Sequence, residues 1–314
     1  MKSHSQCLKE KSLDILQEVV RLIEDKVRVE HHSRLGNNVW IRYGSKLINA
    51  DVGDMTFIGF NCHIENTWIG NHCQIATGVH IGSFSSLPTI IEDNVWIGAR
   101  AWIAPGVRIG RGAVIGAGAW ITNNIEENTI VTGRNQIKKK NREYITDSSP
   151  SFSDILRMKL SRPSNPVSAE ALKYFHETET CYLDVDLTLL GGCEIESEVI
   201  MMGRQKGPSD QGGISVGRYT RIQRKSVLEG AGGIEIGHNT LIGEDSLLIS
   251  NTHDFTFQSL PWKAAKVIIG NNVIIGKGST LVGPATIPDN SVVMPGSLIV
   301  GKNYRERYIF GLFN

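Results

Sequence analysis

The sequence is short of cysteine, carries no excess of either charge and has no long apolar run. Its five cysteines, Cys7, Cys62, Cys73, Cys181 and Cys193, are an odd number, and no two are separated by just two residues. That excludes a dense disulfide framework and a Cys-x-x-Cys motif, and predicts reduced, mostly buried thiols in a cytoplasmic protein. Lys and Arg number 33 against 32 Asp and Glu, a net charge of +1, so no surface for nucleic acid is expected. The first residues are polar and charged rather than an apolar leader core, and no segment approaches the length of a membrane span. Neither secretion nor membrane insertion is expected.

What is present is a rhythm of six. Ile97, Ile103, Ile109, Ile115 and Ile121 are evenly spaced, with Val95, Ala101, Val107, Ala113 and Ala119 two residues before each. The rhythm restarts at Ile236, Ile242 and Leu248, pauses, and resumes at Ile269, Ile275, Leu281, Ile287, Val293 and Ile299. Six is the period neither of a helix nor of a simple alternating strand. It predicts a mainly β fold of stacked coils in which each aliphatic points inward onto its counterpart in the next turn. Glycine often follows, as at Gly98, Gly116, Gly243 and Gly276, where a tight corner favours a residue without a side chain.

The runs Ile91-Glu92-Asp93-Asn94-Val95-Trp96-Ile97-Gly98, Ile103-Ala104-Pro105-Gly106-Val107 and Ile269-Gly270-Asn271-Asn272-Val273-Ile274-Ile275-Gly276 resemble the hexapeptide-repeat acyltransferases. The resemblance implies two left-handed parallel β-helix domains, acetyl-CoA as co-substrate and a homotrimer.

The chain is expected to comprise an N-terminal helical segment (1–35), a first β-helix (36–140), a helical linker (141–183) and a second β-helix (184–314). Leu13, Leu16, Val20, Ile23 and Val27 recur at three- and four-residue spacing and predict a helix over 7–28. In the linker, Ser151 and Asp154 mark one helix start, and residues 169–175 a second helix.

Two histidines stand out. Ile75-Ala76-Thr77-Gly78-Val79-His80 and Leu248-Ile249-Ser250-Asn251-Thr252-His253 each end a hexapeptide before the rhythm breaks, which predicts equivalent positions leading into a loop. The resemblance places the catalytic histidine there. An imidazole near its working pKa can take the proton of an acceptor hydroxyl as it attacks the thioester. His253 is the primary base expected, His80 the base of a second site, and Asp254 the orienting carboxylate. Phe255, Phe257 and Trp262 are expected to fix the loop.

For the cofactor, the resemblance implies contacts from Ala99, Ala117, Thr122 and Asn123 in the first half, with Lys138 in a Lys138-Lys139-Lys140 run suited to CoA phosphates. In the second half it implies Lys277 and Pro295, where proline removes an N–H. No metal is expected. His63, His72 and His80 are nine and eight residues apart, which assigns them different phases of the coil and argues against one shared zinc site.

The expected function is O-acetylation of a sugar or polysaccharide precursor. A non-catalytic assembly module and an N-acetyltransferase on an amino or nucleotide sugar remain alternatives.

Overall fold

The computed structural model of the chain describes residues 21–30, 32–85, 87–145, 167–203, 212–258, 260–301, 303–305 and 307–311. These fall into two compact units, one ending at Glu143 and the other holding Tyr144 and Ile145 together with the residues from 167 onward. Each is a parallel β-solenoid.

In the first unit, Ile41, Ile58, Ile75, Ile97, Ile115 and Val131 stand in register on successive strands and form one buried column. Leu47, Ile64, Ile81, Ile103 and Ile121 form a second, and Val52, Ile69, Ile91, Ile109 and Ile125 a third. Burying each such side chain is worth about 1.5–3 kcal/mol. The β-branched residue also suits the extended backbone, so local preference and burial select the same rhythm. The second unit repeats the plan. Its columns are Ile195, Ile222, Ile242, Ile275, Val293 and Ile309, then Met201, Leu228, Leu248, Leu281 and Ile299, then Val216, Ile236, Ile269 and Ile287.

The corners turn through left-handed backbone, which asparagine tolerates better than most L-residues. Asn239, Asn272 and Asn290 all have φ between 51° and 57°. Their amides link coil to coil, Asn239 Nδ2 donating to Asn272 Oδ1 at 3.4 Å and Asn272 Nδ2 to Asn290 Oδ1 at 3.2 Å. At several corners the coils approach too closely for a side chain, and a Cβ on Gly98 would lie 2.4 Å from the Ala117 nitrogen.

Two expectations change. The first part of the helix predicted over 7–28 lies outside the described residues, and its remainder is extended. Arg21–Ile23 pairs with Val39–Ile41, and Arg28–Val29 with Lys46–Leu47. The cause is visible at Glu24, whose carboxylate accepts from Trp40 Nε1 and from the Tyr43 N–H, both at 3.0 Å, and pairs with Arg42 at 2.8 Å. A strand stacked on that coil delivers the carboxylate there, so coil strands are already present at Arg21, ahead of 36.

In the linker, the helix start at Ser151 and Asp154 lies outside the described residues. The helix expected over 169–175 is a single turn, Ala169–Leu172, with Ser168 Oγ accepting from the Ala171 N–H at 3.2 Å. Phe175 already bridges Ile195 in parallel, a 3-10 turn, Thr178–Thr180, follows, and the strand Tyr182–Val185 begins ahead of 184. Among the described residues no helix is long and apolar enough to cross a membrane.

Candidate active site

The two histidines occupy different settings, which corrects the expectation of equivalent positions. His80 lies within a coil, on the strand His80–Ile81, with Ile81 in the buried column and the imidazole facing outward. His253 has left the coil. The strand Leu247–Ile249 ends the regular turn, Ser250 accepts the Ala265 N–H at 2.8 Å, and the residues between form an excursion. Its arms, Asn251–His253 and Trp262–Ala264, pair antiparallel with His253 opposite Trp262. Sequence position alone made these settings look alike because both follow six regular residues.

In the excursion, His253 Nδ1 lies 2.7 Å from the carbonyl oxygen of Leu260. The carbonyl can only accept, so Nδ1 carries the proton and Nε2 keeps its lone pair. The imidazole is half-buried, and burial lowers its pKa below the ordinary value, opposed by the Leu260 bond. It is therefore neutral at pH 7 with Nε2 able to accept a proton. The Asp254 carboxylate, expected to orient the ring, is engaged elsewhere. It pairs with Lys263 at 2.5 Å and accepts from Thr256 Oγ1 at 2.6 Å and the Thr256 N–H at 3.0 Å. These partners hold its pKa down at about 2.

His80 has ring neighbours on both sides. His63 stacks on it with centroids 4.8 Å apart, and Trp102 lies beyond at 6.4 Å, itself stacked on Trp120 at 4.2 Å. Burial first, and the neighbouring His63 second, lower the His80 pKa, while a backbone hydrogen bond at Gly82 opposes them. His63 and His80 thus share a phase of the solenoid, which corrects the reading that placed all three histidines apart. The coil here is 17 residues long rather than 18, as the pairing of Lys46 with His63 and of His63 with His80 shows. His72 falls at a corner, with φ of 56°. Among the described residues no group of three or more His, Cys, Asp or Glu could hold a metal ion.

The residues expected at the cofactor lie at stacked corners. Ala99 is buried and its carbonyl accepts from the Gly118 N–H at 2.8 Å, next to Ala117. Lys277 and Pro295 adjoin in the same way, the Lys277 carbonyl accepting from the Gly296 N–H at 2.9 Å. Asn135 Oδ1 accepts from the N–H groups of Thr122 and Asn123, at 2.9 and 3.3 Å. Those two donors are already engaged within the chain. Lys277 pairs with Glu244 at 2.9 Å, and Lys138 Nζ reaches Gln136 Oε1 at 3.4 Å on an exposed edge strand.

A family model described as the hexapeptide repeat of succinyl-transferase matches residues 50–83, 88–123 and 266–300. The bifunctional protein GlmU of Thermosipho melanesiensis is 30% identical over 130 residues, covering 38% of this chain and 29% of the relative. Among solved structures, PerB of Caulobacter crescentus, in complex with CoA and GDP-perosamine, is 23% identical with a TM-score of 0.30, covering 43% of this chain and 64% of that one. The acetyltransferase domain of PglB from Neisseria gonorrhoeae is 18% identical with a TM-score of 0.37, covering 42% and 64%. The chain thus spans less than a third of the curated relative's length.

Proposed function

We propose that this chain, a member of the hexapeptide-repeat acyltransferase family with its left-handed β-helix, transfers an acetyl group from acetyl-CoA to a hydroxyl of a sugar or polysaccharide precursor. The observation that carries the reading is the His253 imidazole, held by the Leu260 carbonyl so that Nε2 is free of a proton. In the proposed reaction Nε2 takes the acceptor proton as the oxygen attacks the thioester carbonyl. The tetrahedral intermediate then collapses, the C–S bond breaks, and the imidazolium returns the proton to the CoA thiolate. No covalent enzyme intermediate is needed.

His80, with a backbone bond to its own ring at Gly82, is the base of a second site in the first unit. In the first unit Lys138 contributes positive charge for CoA phosphates and Ala99, Ala117, Thr122 and Asn123 mark the corners along which a co-substrate lies; Lys277 and Pro295 mark the corresponding corners of the second unit's own site. Assembly as a homotrimer belongs to the same reading, since closed threefold symmetry would place identical corners side by side. So does a cytoplasmic setting, which suits the reduced thiols of Cys73 and Cys193.

The test is thiol release from acetyl-CoA by the full chain with a panel of sugars and nucleotide sugars. His253→Ala should lower kcat about 10²–10⁴-fold and leave the CoA KM within twofold. An ester product, cleaved by hydroxylamine, supports O-acetylation, and a resistant amide moves the acceptor to an amino sugar. Loss of turnover in His80→Ala but not in His253→Ala would overturn the assignment of His253. Absence of CoA binding by titration calorimetry would overturn the enzyme reading in favour of an assembly module.

A further inference from the structure

We propose that the backbone of Ile145 is a positioning element for His253, bracing from outside the excursion that presents the Leu260 carbonyl to the imidazole. The catalytic meaning of that brace rests on the reading above, whereas the brace itself does not.

The Asp254 N–H donates to the Pro261 carbonyl at 2.9 Å across the base of the tip, but among the described residues the turns within the tip are long. The Phe257 N–H donates to the Asp254 carbonyl and the Leu260 N–H to the Phe257 carbonyl, each at 3.4 Å, the long limit of such bonds. Ile145 makes shorter ones. Its N–H donates to the Thr256 carbonyl at 2.9 Å, and its own carbonyl accepts from the Gln258 N–H at 3.0 Å, forming a parallel bridge to Phe257. Asp254 holds Thr256 from the other side. The tip is thus clamped at 256–258 by one carboxylate and one backbone segment.

Leu260 needs such a clamp. It sits in left-handed backbone at φ of 50°, with its side chain buried. That conformation is unfavourable for an L-residue with a Cβ and persists only where the surroundings enforce it. If residues 256–258 drift, Leu260 can relax to ordinary backbone and its carbonyl swings away from Nδ1. The imidazole then loses the acceptor that fixes its tautomer, and Nε2 becomes protonated in part of the population. The brace is a main-chain device, since the Ile145 side chain is 59% exposed. It comes from the stretch immediately after the first repeat array, so a second array begun at residue 184 would lack it.

The discriminating pair is Ile145→Pro, which removes the N–H, and Ile145→Ala, which keeps both backbone bonds. Gln258→Pro removes the reciprocal N–H from the other side. In full-length protein with ¹⁵N-labelled histidine, the His253 resonances are identified by their loss in His253→Ala. Wild type and Ile145→Ala should show a single Nδ1–H tautomer. Ile145→Pro and Gln258→Pro should show a mixture, with kcat reduced tenfold or more and the CoA KM within twofold. A single Nδ1–H tautomer in both proline variants overturns the brace. So does failure of both to fold, because a contact made for positioning at an exposed edge is dispensable for folding. If wild type transfers no acyl group, the tautomer still decides the structural claim, and the acyltransfer reading falls separately.

Discussion

The imidazoles of His63 and His80 lie face to face, 4.8 Å between centroids and 7° from parallel, one coil apart on neighbouring strands. Two rings so placed cannot both be protonated without repulsion, and His63 adds to the burial that lowers the His80 pKa. His63→Ala removes the neighbouring charge and opens the site, and both changes act in the same direction. The His80 pKa should rise toward 6.5, the ordinary value from which it is displaced, as read by NMR titration of its ring protons. A pKa that stays or falls would contradict the coupling.

Acid should weaken the fold. His80 and His253 both have folded pKa values below the ordinary one. Between that folded value and about 6.5 the unfolded chain binds more protons than the native one, so stability rises with pH across this window. The melting temperature should fall as pH drops through about 6.5 and level off once the folded pKa values are passed. His80→Gln together with His253→Gln should flatten the slope, measured by calorimetry between about pH 5 and 8.

Glu24 and Arg42 form an ion pair with side chains 8% and 3% exposed, and the guanidinium stacks 3.8 Å over the Phe60 ring. Removing one partner strands a buried charge, at a cost of about 3–5 kcal/mol. Glu24→Gln should lower the urea midpoint of the first unit accordingly. Glu24→Gln with Arg42→Met should recover most of the loss. Tryptophan emission reports this transition, because Trp40, Trp68, Trp96, Trp102 and Trp120 lie in the first unit and Trp262 alone in the second.

Gly98→Ala would place a methyl group 2.4 Å from the Ala117 nitrogen, against backbone rather than a yielding side chain. Overpacking of this kind costs about 1–3 kcal/mol. The same emission transition should shift to lower urea, whereas an unshifted midpoint would mean the corner relaxes freely.

The aliphatic columns are legible in the sequence because each member reports its own burial at a fixed local spacing. The pairing of His63 with His80 is not, because counting by six assumes an 18-residue coil and a single-residue slip rotates every later phase. The excursion at His253 shows in the pause before Ile269, but its orienting group does not. Leu260 acts through a carbonyl, and Ile145 through an N–H and a carbonyl that every non-proline residue has. Asp254 looked suitable for the opposite reason, since it carries visible chemistry beside His253 and spends that chemistry on Lys263 and Thr256. The spacing of Ile23 and Val27 fitted a helical face, yet Glu24 between them is claimed by Trp40, Tyr43 and Arg42 of the next coil.

A stack of parallel coils leaves a rung of amide and carbonyl groups at its last strand, open to another chain of similar rhythm. In the first unit the strand Ile130–Thr132 is followed by Gln136–Lys139 running the opposite way, with every residue of it exposed. Lys138, Lys139 and Lys140 stand on or beside that reversed edge. A further parallel coil meets the wrong polarity there, and a second copy brings its own lysines against these. The reversal and its cations therefore make this sheet edge a poor template for a further parallel coil.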